Sequence, residues 1–313
     1  MKQYVMALLL AGGLGSWAEG ADYYVNNKMG DDASTGGFAE YQEPGIGPLR
    51  TINEALKRAG FADRVILANT GEPYRECLSI QRCNHSGLPT LPFVLEGNGA
   101  TLDGSQPVPA YAWEAYKGNT ARFRPHKKTY PMLYLDGKPA ERVAADDTAL
   151  EPPTLQPLQW CYHHQWVYFE VEQLKMPQDY PLSMPIHDVG ITIYKAQQLV
   201  VADLTVQGFR LDGINAHDAT YTLLAGVTCR GNGRSGVAVS AASRIQLRNV
   251  LLGNNGQGAE STDSAQLWLE GRSQTVVQGS HLVANTAPDI HKEGPHALLE
   301  VIPIAAGEEA PNE

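Results

Sequence analysis

What the chain lacks narrows its class first. No apolar run reaches the roughly 18 residues a membrane-spanning helix needs, so no transmembrane segment is expected. Basic residues are scarce: 24 Lys and Arg against 34 Asp and Glu leave a net charge of −10. That sign is wrong for neutralising phosphates, so nucleic acid is not an expected partner. An acidic sugar stays open, because it needs only a local cluster of Lys and Arg. Cysteine is limited to Cys77, Cys83, Cys161 and Cys229, with no C-x-x-C spacing to suggest a metal site. A phosphate-binding Walker loop, a nucleophile elbow and a zinc-binding helix are also missing.

Turn-formers, by contrast, are plentiful. With 31 Gly and 20 Pro in 313 residues, short strands are favoured over long helices. The length exceeds that of most single domains, yet a solenoid lengthens by adding coils rather than by enlarging one core. Residues 1–20 read as an export leader. Lys2 supplies the positive start, residues 5–14 the apolar stretch, and Ala18-Glu19-Gly20 the small residues that a signal peptidase inspects. A secreted or periplasmic protein is therefore expected. Four cysteines in such a chain permit disulfides; Cys77 and Cys83 are near enough in sequence to pair, while Cys229 reads as a buried free thiol.

The strongest signal is a repeat. Gly190, Gly213 and Gly236 lead three rows set 23 residues apart, and Gln266-Leu267-Trp268-Leu269-Glu270 resumes the pattern after a short insertion at 258–264. Written beneath one another, the rows align Ile191, Ile214, Val237 and Leu267, then Ile193, Ala216, Val239 and Leu269. Further along, Leu204, Val227 and Val250 align, as do Val206, Cys229 and Leu252. Within each row apolar residues alternate, the period of a strand with one buried face. Stacked short strands bury a continuous core that no single coil could bury. Asn232 and Asn255 fall at one turn, where amides can bond along the axis. The rows predict an all-β chain, a single-stranded right-handed parallel β-helix. The L-x-x-L-x-L rows of a leucine-rich horseshoe are absent.

The N-terminal part adds a resemblance. Tyr23-Tyr24-Val25-Asn26-Asn27, Gly30-Asp31-Asp32, Gly36-Gly37 and residues 48–56 are similar to the beginning of pectate-lyase-like β-helix proteins, which implies a helix closing the first coil. Residues 51–59 read independently as that helix, with Ile52, Ala55, Leu56 and Ala59 on one face. The expected organisation is a leader at 1–20, cap and first coils at 21–104, a β-rich insertion at 105–188, coils at 189–302 and a disordered tail at 303–313. The insertion holds 12 of the 25 aromatic residues and 11 of the 20 prolines, and its aromatics read as a local core.

Alternation also fixes what faces outward. Thr192 and Tyr194, Asn215 and His217, Ala238 and Ser240, Trp268 and Glu270, and His291 and Glu293 should form one surface strip, with Tyr194 beside His217. Asp212, Asp218 and Lys195 flank that pair, and Arg210 and Arg234 lie in neighbouring turns. Such a mixture suits a uronic acid: an imidazole to take the C5 proton, a phenol as acid, and cations to hold the carboxylate where enolate charge develops. In this reading His217 is the base, Tyr194 the acid, Asp212 and Asp218 orient them, and Lys195 and Arg210 clamp the carboxylate. Asn215, Trp268 and Glu270 contact the sugar chain. The segment Asp212-Gly213-Ile214-Asn215-Ala216-His217-Asp218 is similar in content to the Asp-Pro-His-Asp segment of mannuronan C5-epimerases, at His217 and Asp218. The resemblance implies lyase or epimerase chemistry on an acidic polysaccharide. Two alternatives stand beside it, a non-catalytic polysaccharide-binding or cell-surface module, and a glycoside hydrolase built on Asp212 and Glu270. Asp31-Asp32 and Asp146-Asp147 offer oxygen ligands of the kind Ca²⁺ takes. A monomer is expected.

Overall fold

The computed structural model describes residues 20–302 except 83, 257–262 and 284–285. The leader (but for Gly20), the tail at 303–313 and Cys83 lie outside the described residues.

The glycine-led rows are successive rungs. Ile191–Tyr194, Asp212–His217, Ser235–Ser240, Ala265–Leu269 and Ile290–Lys292 form one parallel ladder, in which Ile191 faces Ile214, Ile214 faces Val237, Val237 faces Leu267 and Leu267 faces Ile290. Close approach explains the leading glycines. A Cβ at Gly190 would lie 2.6 Å from the Gly213 carbonyl oxygen, and one at Gly213 would lie 2.7 Å from that of Gly236. A second ladder carries each coil back: Gln197–Gln207 pairs with Thr220–Ala225 and Thr228–Arg230, and these with Arg244–Arg248 and Leu251–Gly253. The inward side chains of both ladders make one core running from Val25 to Ala297.

The period breaks at the insertion, but the tube does not. Leu78–Gln81 pairs directly with Ile191–Tyr194, placing Ile80 against Ile193, and Phe93–Asp103 pairs with Gln197–Gln207. At the first coil, the helix Ile52–Arg58 buries Ile52, Ala55 and Leu56 over the end of the core, worth about 1.5–3 kcal/mol for each large side chain. Thr51 caps it by accepting from the Glu54 amide at 3.2 Å, and Asp32 accepts from the Arg50 and Thr51 amides.

Amides bond along the axis at one turn. Asn232 donates to Asn255 at 2.9 Å and Asn255 to Gln266 at 2.9 Å, while each oxygen also accepts a backbone amide. These side chains are buried, so the ladder satisfies groups that would be costly alone. Cys229 is buried in the core, and burial pushes its thiol up. Cys77, Cys161 and Cys229 are free thiols.

Residues between the coils form two four-stranded antiparallel sheets, one joining Trp160–His163, Trp166–Glu170, Thr120–Phe123 and Glu114–Ala115. The other joins Ser105–Pro107, Leu182–Pro185, Tyr134–Leu135 and Lys138–Pro139. Phe123, Leu133, Trp160, Val167 and Phe169 make a separate core there. The buried Tyr134 hydroxyl donates to the Gly231 carbonyl at 2.6 Å, pinning this unit to the solenoid. Among the described residues no helix is long and apolar enough to cross a membrane.

Candidate functional site

Register turns the strip into two files. One runs Ser79, Thr192, Asn215, Ala238, Trp268 and His291. The next runs Gln81, Tyr194, His217 and Ser240, continuing through Glu270, whose amide bonds the Val239 carbonyl, to Glu293, whose amide bonds that of Leu269. Directly after this second file the chain turns a sharp corner. Lys195, Asp218, Ala241, Gly271 and Gly294 all take left-handed φ, at 55°, 53°, 56°, 71° and 80°. The corner holds Lys195 and Asp218 against the rings that precede them.

Tyr194 and His217 stack, with ring centroids 5.6 Å apart and planes 21° from parallel. Lys195 places its ammonium 5.0 Å from the Tyr194 centroid and forms no ion pair among the described residues. His217 Nδ1 lies 3.0 Å from Ser240 Oγ, and that hydroxyl donates to the Ala216 carbonyl at 3.2 Å. With its proton committed there, the serine accepts from Nδ1–H, which leaves the lone pair of the neutral imidazole on Nε2. Asp218 Oδ2 lies 3.6 Å from Nε2, and its other oxygen accepts the Ala242 amide. Tyr194, His217 and Asp218 therefore form a connected, solvent-facing group with Lys195 at its side.

Several expected participants are employed elsewhere. Asp212 is fully buried, accepting from Arg234 Nε and Nη2 at 2.8 and 2.5 Å, from Ser235 Oγ at 2.7 Å and from Asn215 Nδ2 at 2.9 Å. It holds two rungs together and does not orient His217. Asn215 is tied to it. Arg210 is not a free clamp: it bonds Asp188 at 2.8 Å and the insertion residue Thr129, fastening the insertion to a turn. Trp268 lies nearly flat against His291 at 3.7 Å, with Arg234 over it at 5.4 Å, and is only 8% exposed. Its face is thus covered rather than offered as a platform. The proposed pairing of Asp212 with Glu270 fails with the burial of Asp212.

Sequence reasoning missed His296. It joins His217, Ser240, Glu270 and Glu293 around an open groove of about 430 Å³ that continues the file beyond His217. His296 falls past the last recognisable row, where alternation gives no orientation. As for metal ligands, no group of three or more His, Cys, Asp or Glu among the described residues is arranged to hold an ion. Asp32 caps the helix start, Asp31 accepts the Ala33 amide and Asp146 accepts from Thr148, so these carboxylates shape turns.

No protein-family model and no curated protein matches the chain. Among solved structures, a glycoside hydrolase superposes with a TM-score of 0.59 at 9% identity, over 90% of this chain and 75% of that one. XylC in complex with xylose superposes at 0.44 with 12% identity, over 87% and 67%. A rhamnogalacturonan lyase superposes at 0.26 with 8% identity, over 83% and 68%. The last two overlaps are too loose to carry weight, and the first, at so low an identity, is a likeness of fold.

Proposed function

We propose that this chain is an exported carbohydrate-active β-helix protein that lays an acidic polysaccharide along the Tyr194–Glu293 file and moves a proton on one of its sugars through His217. The observation that carries this reading is the Tyr194–His217 stack on an exposed face, with His217 Nε2 beside Asp218 and Lys195 near the Tyr194 ring, forming no ion pair among the described residues. In this reading Nε2 takes the proton at C5 of a uronate, Asp218 steadies the imidazolium, and Lys195 offsets the negative charge spreading onto the sugar carboxylate. Tyr194 supplies a proton. Given to the leaving glycosidic oxygen it completes elimination; given to the opposite face of C5 it completes epimerisation. Fold resemblance to a glycoside hydrolase is compatible with a sugar-directed role and says nothing of the reaction.

The test is incubation with uronate polymers, following the ultraviolet absorbance of the unsaturated product and, separately, exchange of the C5 proton. Either signal should fall by about 10²- to 10⁴-fold in His217→Ala. Loss of neither signal in that variant overturns the assignment. Hydrolysis is a second reading, favoured by Glu270 and Glu293 on consecutive rungs of the groove. Rungs stand about 4.8 Å apart, close to the roughly 5 Å between the carboxyl groups of retaining glycosidases. It requires new reducing ends without unsaturation, lost in Glu270→Gln and Glu293→Gln. Polysaccharide binding with none of these signals would mark a non-catalytic module.

A further inference from the structure

A second concavity lies on another face of the solenoid, where the insertion leans on it. This cleft, of about 450 Å³, runs between the outer side of the long second-ladder strands and the hairpin formed by Tyr134–Leu135 and Lys138–Pro139. Its solenoid wall is a rung-by-rung polar file: Asp103 faces Gln207, and Gln207 faces Arg230. The file is internally braced. Arg230 Nε donates to Gln207 Oε1 at 2.9 Å, Gln207 Nε2 donates to Asp103 Oδ2 at 3.2 Å, and the Ser105 amide donates to Asp103 Oδ1 at 2.8 Å. Asp103 is 6% exposed and has Arg75 3.9 Å away, so its charge is largely answered.

The cations on the cleft are not. Neither Arg230 nor Lys138 makes an ion pair among the described residues, although the chain as a whole carries ten more acidic than basic side chains. Arg230 spends only Nε on Gln207, which fixes the plane of its guanidinium and leaves both terminal nitrogens as donors. Lys138 reaches the same space from the opposite wall. The spacing of the walls is set by the buried Tyr134–Gly231 hydrogen bond, and side chains pack closely against the glycines there. A Cβ at Gly208 would stand 2.4 Å from Asp103 Oδ1, and one at Gly231 3.2 Å from Pro139. The cleft is thus held open at fixed width, with a fork of donors on one side, an ammonium on the other, and the Gln207 and Asp103 oxygens between them.

We propose that this cleft is a saccharide-binding site for an anionic sugar unit, its carboxylate or sulfate ester held between Arg230 and Lys138 and its hydroxyls by Gln207 and Asp103. A planar guanidinium matches either anion through two parallel hydrogen bonds, while the acceptors beside it give the ring hydroxyls partners that a bare inorganic anion would not use. The site stands apart from the Tyr194–His217 file and acts as an anchor for a polymer, whatever reaction that file performs.

The experiment is titration of the whole chain with trigalacturonate, with a sulfated disaccharide, with a neutral trisaccharide and with inorganic sulfate, read by calorimetry and by hydrogen–deuterium exchange at residues 134–139 and 228–231. Protection of both segments by trigalacturonate or the sulfated sugar is expected, and the stronger of the two names the ester or the carboxylate as the natural group. Arg230→Ala should weaken that binding roughly 10- to 100-fold, Lys138→Ala less, and Arg230→Lys by an intermediate factor because it keeps charge without the fork. Protection by the neutral sugar to the same degree, equal affinity for inorganic sulfate, or unchanged binding in the Arg230→Ala/Lys138→Ala variant would each overturn the proposal. His217→Ala must leave this protection intact. Loss of turnover there and loss of protection here therefore fail separately.

Discussion

Asp212 was a candidate for the chemistry, and truncating it to alanine tests what it does. The substitution removes the acceptor of four hydrogen bonds, two from Arg234 and one each from Ser235 and Asn215, at a position with no solvent access. Removing one member of a buried pair costs about 3–5 kcal/mol, because the partner keeps its charge and loses its counter-ion. Arg234 retains 22% side-chain exposure and can turn partly toward water, which favours the lower end. At about 2–4 °C per kcal/mol for a chain of this size, a 3 kcal/mol loss lowers Tm by about 6–12 °C. Circular dichroism melts of Asp212→Ala, Arg234→Ala and the double variant measure this directly. The double variant should be less destabilised than the two singles summed, since each single leaves the other group stranded. Activity per folded molecule should persist in Asp212→Ala. A Tm within about 2 °C of the parent together with loss of turnover would refute the structural role and return Asp212 to the chemistry.

Three further outcomes follow from the same packing. Gly213→Ala forces a Cβ to within 2.7 Å of the Gly236 carbonyl oxygen and 2.9 Å of Asn232 Nδ2, so it should cost about 1–3 kcal/mol; an unchanged melt would mean the rungs are not closely stacked there. Tyr134→Phe leaves the Gly231 carbonyl unpaired at a cost of about 1–3 kcal/mol, and it should speed amide exchange in the insertion before the solenoid. Asp188, held down to about 2 by its hydrogen bond to Arg210 and by Lys127, ties the end of the insertion to the solenoid. Its folded-state value lies below that of the unfolded chain, so its contribution is complete above about pH 4 and is lost as pH falls toward 2. Tryptophan fluorescence should report loosening of the insertion in that window, and Asp188→Asn should abolish the transition.

Much of the architecture was legible because a β-helix writes its core locally. Alternation assigns each strand residue to a face, and the 23-residue period assigns each to a file, so the stacking of Tyr194 on His217 followed from counting. The helix expected over residues 51–59 followed from its apolar face; it spans 52–58, and Thr51 is its cap. The continuity of the tube across the insertion did not. Nothing in the spacing of Ile80 and Ile193 reveals that they are neighbours, because the intervening residues keep no period.

Outward residues, finally, are identified by pattern but not their occupation. Sequence alone established which side chains leave the core; it could not show which of them find partners. Arg210 was spent on Asp188 by an insertion whose docking depends on contacts far apart in the chain, and Asp212 was drawn inward by Arg234 on the next rung. Arg230 and Lys138 were brought to one cleft by the same docking. Charge neutralisation depends on distance in space, and only the folded chain sets that distance.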